Sequence, residues 1–262
     1  MNHALDPIQM LWVRGDLSRM ELLSVRSFLA HGHPVQLYTY EPARNLPAGV
    51  QTIDAAEIVP RELAPVAATA PFGKGSMGSF SDFFRYHLLH ARGGWWADMD
   101  IVCTRPWRFA EAALTASTDE PEYGRVANTC VMRFPAGHPV MAACREAFRH
   151  MDVRKIGIDQ TGPLLLHAKL DALGQRHLAL PPEVFCPVPW NASWQLLRPF
   201  WRRFTFSELN QRLRYRHLSP RFGRATVAVH LWHETWRAAG WDKAARHPRS
   251  CLYERLQRRW NP

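Results

Sequence analysis

The 262 residues are 47% hydrophobic and 21% charged, with no long low-complexity tract, which excludes a disordered chain and allows one domain with a buried core and a cleft. Five cysteines, odd in number and without a Cys-x-x-Cys pair, argue against a disulfide framework and against a zinc knuckle. The formal charge of +10 raises nucleic acid as a partner, but no helix-turn-helix, zinc finger or aromatic RNA-reading strand accompanies it, so no nucleic-acid function is expected.

At the amino terminus no charged region precedes an apolar stretch, and no apolar run approaches the length of a bilayer span, so a cytoplasmic protein is expected. Residues 8 to 13 alternate like a strand, and Val35 to Tyr40 give a second strand after the break at His31-Gly32-His33-Pro34. Between them the pattern predicts a helix starting near Asp16 or Ser18, burying Leu22, Val25 and Leu29, and stopping at Gly32. Strand, helix, strand is the opening of a Rossmann-like layer, whose ligands lie beyond the carboxyl ends of the strands, and this places Trp12 near a ligand edge. An aromatic residue there reads equally well as core.

Residues 60 to 79, rich in alanine, proline, glycine and serine, predict a loop able to close over a ligand. A helix follows from Ser81 to Arg92, with Ser81 as its cap and Gly93-Gly94 ending it. Trp95 to Cys103 then reads as an apolar strand interrupted by Asp98 and Asp100. Further strands are expected at Val126 to Phe134 and Ala225 to Leu231, and helices near 138 to 150, 163 to 173 and 250 to 259. In the basic, aromatic-rich part from about residue 190 to 262, arginines between Arg198 and Arg224 interleave with Trp194, Leu196, Leu197, Phe200, Trp201, Phe204 and Phe206. That pattern fits peripheral contact with an anionic membrane, and it fits equally a solvated arginine face over a packed aromatic cluster.

In an extended chain Asp98 and Asp100 project to one side, and two carboxylates there form a hard-oxygen site suited to Mn²⁺ or Mg²⁺. The apolar residues on either side make unpaired carboxylates costly, although two surface aspartates at a strand end are the plainer alternative. Asp82 and Arg85 share a helix face, expected in the first turn, where they could hold ribose and phosphate or simply form an intrahelical ion pair.

Ser81-Asp82-Phe83-Phe84-Arg85-Tyr86, Leu88-Leu89 and Gly93-Gly94-Trp95-Trp96-Ala97-Asp98-Met99-Asp100 together resemble the core motif of the DXD sugar transferases related to yeast initiation mannosyltransferases, α-1,4-galactosyltransferases and clostridial glucosylating toxins. The likeness continues through Asn128, Gly137-His138-Pro139 and Thr161-Gly162-Pro163, and ends at His230-Leu231-Trp232-His233-Glu234-Thr235-Trp236. It implies an α/β GT-A fold over residues 1 to 262, a single Rossmann-like domain with a mixed sheet. The activity it implies is a retaining, metal-dependent glycosyltransferase that moves a sugar from a UDP- or GDP-sugar to an acceptor glycan. Trp12 would stack on the base, Asp82 and Arg85 would hold ribose and diphosphate, and Asn128 would contact the donor sugar. Ser81 and Trp96 would complete the donor site. Asp98 would face ribose, sugar and metal, Asp100 would ligate the metal, and His230 would supply a metal or diphosphate ligand. Where many relatives read Ser-x-Trp or Ser-Trp, this chain has Glu234-Thr235-Trp236, which leaves the roles of Glu234 and Trp236 open.

Two rival readings are weaker. Asp98-Met99-Asp100-Ile101-Val102 also fits the nucleophile motif of haloacid-dehalogenase-like phosphatases, but no downstream acidic motif follows to complete that site. A nucleotide- or glycan-binding relative without catalysis is the other, and nothing in the motif favours it.

Overall fold

The computed structural model describes residues 4–66, 77–120, 122–152, 158–199 and 220–261. The sequence class is the observed one, a mixed α/β fold. Six strands form the central sheet: β1 (Ile8–Leu11), β2 (Val35–Thr39), β3 (Val50–Asp54), β4 (Gly94–Ala97), β6 (Leu114–Glu120) and β7 (Gly124–Phe134). Their order is β3-β2-β1-β4-β7-β6. The β1/β2, β2/β3 and β1/β4 pairs are parallel, and β4/β7 and β6/β7 are antiparallel. A separate two-stranded sheet pairs β5 (Ile101–Cys103) with β8 (Ala228–His230). Strands β2 and β3 lie on one side of β1 while the chain returns to its other side at β4. The topological switch point, where an open α/β sheet leaves a crevice beyond its strand ends, is therefore between β1 and β4.

Helices cover both faces: α1 (Arg19–Ala30), α2 (Met77–Arg92), α3 (Pro139–Phe148), α4 (Ile158–Thr161), α5 (Pro163–Ala172), α6 (His233–Ala238) and α7 (Leu252–Trp260). Because successive strand side chains point to opposite faces, the adjacent Trp95 and Trp96 anchor two different cores. Trp95 packs on Trp107 and Phe109 and belongs to the core that includes Met20, Leu23 and Phe28 of α1 and Tyr253 of α7. Trp96 packs with Phe84 of α2 and belongs to the core that includes Val140 of α3 and Leu166 of α5.

Helix α1 begins where a capping box places it: the Ser18 hydroxyl accepts from the Met20 N–H, and the Glu21 carboxylate accepts from the Ser18 N–H at 2.8 Å. Its buried face differs from the one expected. Met20, Leu23, Ser24, Ser27 and Phe28 are buried with Val25, while Leu22 and Leu29 are only partly covered. The two serines are satisfied by β5: Ser24 donates to Ile101 O at 2.6 Å, and Ser27 accepts from the Cys103 N–H at 2.8 Å.

Two expectations about the motif region are corrected. Helix α2 starts at Met77, a turn before Ser81, because Phe80 continues the buried stripe of Phe84 and Leu88. Ser81 is thus not its cap, and Asp82 and Arg85 lie in the helix body, not among the free N–H groups of its first turn. Asp98, Met99 and Asp100 form a turn between β4 and β5, closed by the Ile101 N–H on Asp98 O at 3.0 Å, and so do not lie within one continuous strand. Strands β3 and β6 and helix α6 were not foreseen. The expected strand near Val126 to Phe134 and the helices near 138, 163 and 250 are present.

Gly93 ends α2 at φ +65°, donating its N–H to Leu89 O at 3.0 Å. A Cβ there would sit 2.5 Å from Ala136 N and 2.9 Å from Phe134 O, backbone atoms that cannot swing aside. Gly93→Ala adds this clash to a left-handed penalty of roughly 1–2 kcal/mol, so urea unfolding should show a loss of at least about 2 kcal/mol. A midpoint equal to wild type would mean that this junction relaxes freely.

Among the described residues no helix is long and apolar enough to cross a membrane. Residues 200–219, most of the stretch in which arginines and aromatics interleave, lie outside the described residues.

Candidate active site

A cleft of about 480 Å³ opens at the switch point. Trp12, which follows β1, and the Asp98-Met99-Asp100 turn, which follows the adjacent β4, both line it. Ser81, Asp82 and Arg85 come from α2, Trp96 from β4, Asn128 from β7 and His230 from β8. All nine residues singled out from the sequence thus border one cavity. A second cavity of about 500 Å³, beside Arg92 and Gly93 at the amino ends of the strands, holds no paired carboxylates.

Asp100 is fixed from the carboxyl-terminal part of the chain. Pairing of Ile101 with His230 between β5 and β8 brings His230 Nε2 within 3.2 Å of Asp100 Oδ2, and the His233 N–H donates to the same oxygen at 2.8 Å. Trp232, between these two histidines, has φ 61°, the only positive φ outside glycine among the described residues. This strained turn swings the start of α6 back onto Asp100. The Trp232 ring lies 3.7 Å from the His230 ring, and its Nε1 donates to Val188 O at 2.7 Å. Burial pushes the Asp100 carboxyl up, but the imidazole and the His233 N–H together hold it below its ordinary range. Burial likewise pulls His230 down, and Asp100 outweighs this to hold the imidazole well above its ordinary value.

Asp98 is held from the other side. Trp96 Nε1 donates to its Oδ1 at 2.9 Å, and Arg85 NH1 lies 3.1 Å from the same oxygen. Partial burial pushes the Asp98 carboxyl up to about 6, against the pull of Arg85 and with the repulsion of Asp100. Two carboxylates on one cavity wall therefore resist carrying full charge together.

Arg85 is occupied by the protein itself. Its guanidinium donates to Ser81 Oγ at 2.8 Å, Ser81 O at 3.1 Å and Thr129 O at 2.7 Å, stacks over the Trp96 ring at 4.9 Å, and lies 3.5 Å from Asp82. Asp82 accepts from Thr161 Oγ1 at 2.8 Å and Thr129 Oγ1 at 3.4 Å. Only 5% of the Arg85 side chain and 4% of that of Asp82 are exposed, so the pair forms the floor of the cleft and does not reach into it. A bulge in β7 supplies Thr129: Thr115 pairs with Met132 and Ala116 with Asn128, so Thr129 to Val131 stand outside the β6 register, and the Thr115 hydroxyl donates across the bulge to Asn128 O at 2.7 Å and Val131 O at 3.3 Å. Asn128 Oδ1 accepts from the Cys130 N–H at 2.9 Å and pins this bulge.

Asp98, Asp100 and His230 bring one ligand atom each within 4.8 Å of one another. Two hard oxygens with one imidazole nitrogen fit a divalent cation of the Mn²⁺ or Mg²⁺ class. At the mouth, Lys243 Nζ lies 2.6 Å from Glu21 Oε1 and 5.4 Å from the Trp12 ring centre. The sequence reading missed Lys243, Glu21, Trp232 and Thr129. Glu21 is legible there as a capping partner, but no spacing signals a lysine 222 residues away from it. Trp236, whose role the motif left open, is core, packed on Tyr253 at 4.9 Å.

No protein-family model and no curated protein sequence matches the chain. Among solved structures it resembles the PaToxG glycosyltransferase at 12% identity and TM-score 0.44, covering 96% of this chain and 84% of that one. It also resembles the apo-form glycosyltransferase GlyE of Streptococcus pneumoniae TIGR4 at 10% identity and TM-score 0.40, covering 92% and 61%. A third match is the bifunctional WbbM glycosyltransferase, at 9% identity and TM-score 0.34, covering 98% and 52%. Likenesses this faint decide nothing about function, and the reading below rests on the residues of the cleft.

Proposed function

We propose that the chain is a GT-A glycosyltransferase, one catalytic domain that transfers a sugar with retention from a nucleotide-diphosphate donor to an acceptor glycan. The observation that carries this reading is the gathering of Asp98, Asp100 and His230 at the switch point, in a cleft also lined by the tryptophan that follows β1. A divalent cation held by these three residues would neutralise the charge that grows on the departing diphosphate. Arg85 holds Asp98 in place, and His230 with the His233 N–H holds Asp100, so both carboxylates are oriented before any ligand arrives. Trp12 offers a flat wall for a base, and Lys243 brings a positive charge 5.4 Å from its ring centre. In this reading Asn128 and Asp98 contact the donor sugar, and Ser81 and Trp96, which line the same cleft, complete the donor site. Asp82 and Arg85, which the resemblance sets at ribose and diphosphate, act in this reading through Asp98.

An envelope polysaccharide or lipid-linked saccharide in the cytoplasm, at the inner membrane face, is the acceptor this reading favours, and a protein acceptor is the alternative. The reading is tested by thermal stabilisation with a panel of UDP- and GDP-sugars plus Mn²⁺, followed by release of nucleoside diphosphate on adding acceptor glycans. No stabilisation by any nucleotide and no release would reject it. Trp12→Ala should weaken nucleotide binding by about 1–3 kcal/mol, the worth of a base–aromatic stack, when measured by calorimetry. Unchanged affinity in the folded variant would assign Trp12 to packing alone.

A further inference from the structure

Sequence spacing shows no sulfur site, yet the fold assembles one behind the cleft. Cys130, on the β7 bulge, lies with its Sγ 3.6 Å from Cys186 Sγ, and Cys186 Sγ is 3.9 Å from His230 Nδ1. One ligand atom from each of the three residues falls within 4.8 Å of the others, and all three side chains are buried. An ion bound tetrahedrally, at about 2.3 Å from sulfur and about 2.0 Å from nitrogen, holds its donors roughly 3.5–3.8 Å apart. The Cys130–Cys186 edge has that length, and the 3.9 Å Cys186–His230 edge lies just beyond it, a difference a bound ion would close by a small shift of the imidazole. We propose that Cys130, Cys186 and His230 Nδ1 bind one thiophilic cation of the Zn²⁺ class.

The chemistry separates this site from the carboxylate site. Two thiolates and an imidazole favour Zn²⁺ over Mn²⁺ or Mg²⁺, and two thiolates neutralise a divalent charge within the buried surroundings. Three protein donors leave a fourth position open, which suits reversible loading better than a closed structural ion. Access exists from two sides: Cys186 borders a small hollow with Pro187 and Trp190, and His230 borders the cleft. His230 links the two sites through its opposite ring nitrogens. With the cation on Nδ1, Nε2 keeps its proton for Asp100, the carboxylate–histidine–metal arrangement that orients many metal-bound imidazoles. The ring is then withdrawn from the cation of the cleft, so Zn²⁺ loading weakens Mn²⁺ binding there.

The proposal stands on the sulfur–nitrogen cluster and holds or fails apart from the transferase reading. The reduced full-length protein, stripped by chelator, is titrated with Co²⁺ and then Zn²⁺. The expected result is one equivalent of Co²⁺ with a sulfur-to-cobalt charge-transfer band that Zn²⁺ abolishes. The band should disappear in Cys130→Ser and Cys186→Ser and persist in Cys144→Ser and Asp98→Asn. X-ray absorption at the zinc edge of the wild-type protein should show two sulfur scatterers at about 2.3 Å, a readout that survives even if the cysteine variants do not fold. No charge-transfer band, a band that persists without Cys130 and Cys186, a zinc shell without sulfur, or a Cys130–Cys186 disulfide in protein purified without oxidant would each overturn it.

Discussion

Asp100→Asn is expected to fold normally and to lose transfer activity by on the order of 10²- to 10³-fold or more, the effect of removing one electrostatic stabiliser of a developing charge. The structure explains why folding should survive. An asparagine oxygen still accepts the His233 N–H, which now donates to Asp100 at 2.8 Å. His230 loses its counter-charge, but a histidine can shed its own proton, so no charge is stranded in the buried surroundings. Asp98→Asn should behave alike, and chelator should silence the wild type, with Mn²⁺ or Mg²⁺ restoring it. Release of nucleoside diphosphate measures activity, and calorimetry with Mn²⁺ alone measures the site. Cation affinity should rise as pH rises through about 6, because the cation competes with the proton that the raised Asp98 carboxyl keeps below that point. Full activity in either variant, or in thoroughly chelated enzyme, would remove the metal-dependent reading.

What the sequence made legible follows what local chemistry can dictate. The start of α1 is expected near Asp16 or Ser18, where the structure has a capping box of Ser18 with Glu21, and the end of α2 at Gly93-Gly94, where φ is positive at both residues. The face of α1 was misjudged because apolar periodicity does not register Ser24 and Ser27, which are buried only because β5 offers them backbone partners. Trp95 to Cys103 is apolar on both sides of the Asp98-Met99-Asp100 turn, so pattern alone continued the strand past its end. Strand β3 is an edge with mostly exposed or half-covered residues, and β6 reads Leu-Thr-Ala-Ser-Thr-Asp-Glu, too polar to signal burial before its neighbours are known. The members of the site were legible as a set because the long motif is specific. Their geometry was not, since Arg85 meets Thr129 and Asp100 meets His230 only through the β7 bulge and the β5/β8 pair.

That geometry sets the cost of replacing Arg85. Arg85→Met keeps the length of the side chain and its stacking surface on Trp96 but removes the guanidinium that lies near both Asp82 and Asp98. Breaking a buried ion pair from one side costs about 3–5 kcal/mol, because the partner left behind is charged and desolvated. Here two carboxylates are left, and Ser81 O and Thr129 O lose donors as well. Burial already pushes the Asp82 carboxyl up, with Arg85 as the largest opposing influence, and Asp98 is balanced in the same way. Without the guanidinium both carboxyls rise further, so the native variant can relieve the repulsion only by taking up protons. A carboxyl whose folded value lies above its unfolded one contributes stability that is complete below the unfolded value and lost as pH rises through the folded value. The deficit of Arg85→Met relative to wild type should therefore be largest at neutral pH and shrink as the solution is made mildly acidic. Urea unfolding at both pH values checks this. A deficit that is small at neutral pH, or that grows on acidification, would show that Arg85 reaches into the cleft and leaves Asp82 and Asp98 to other partners.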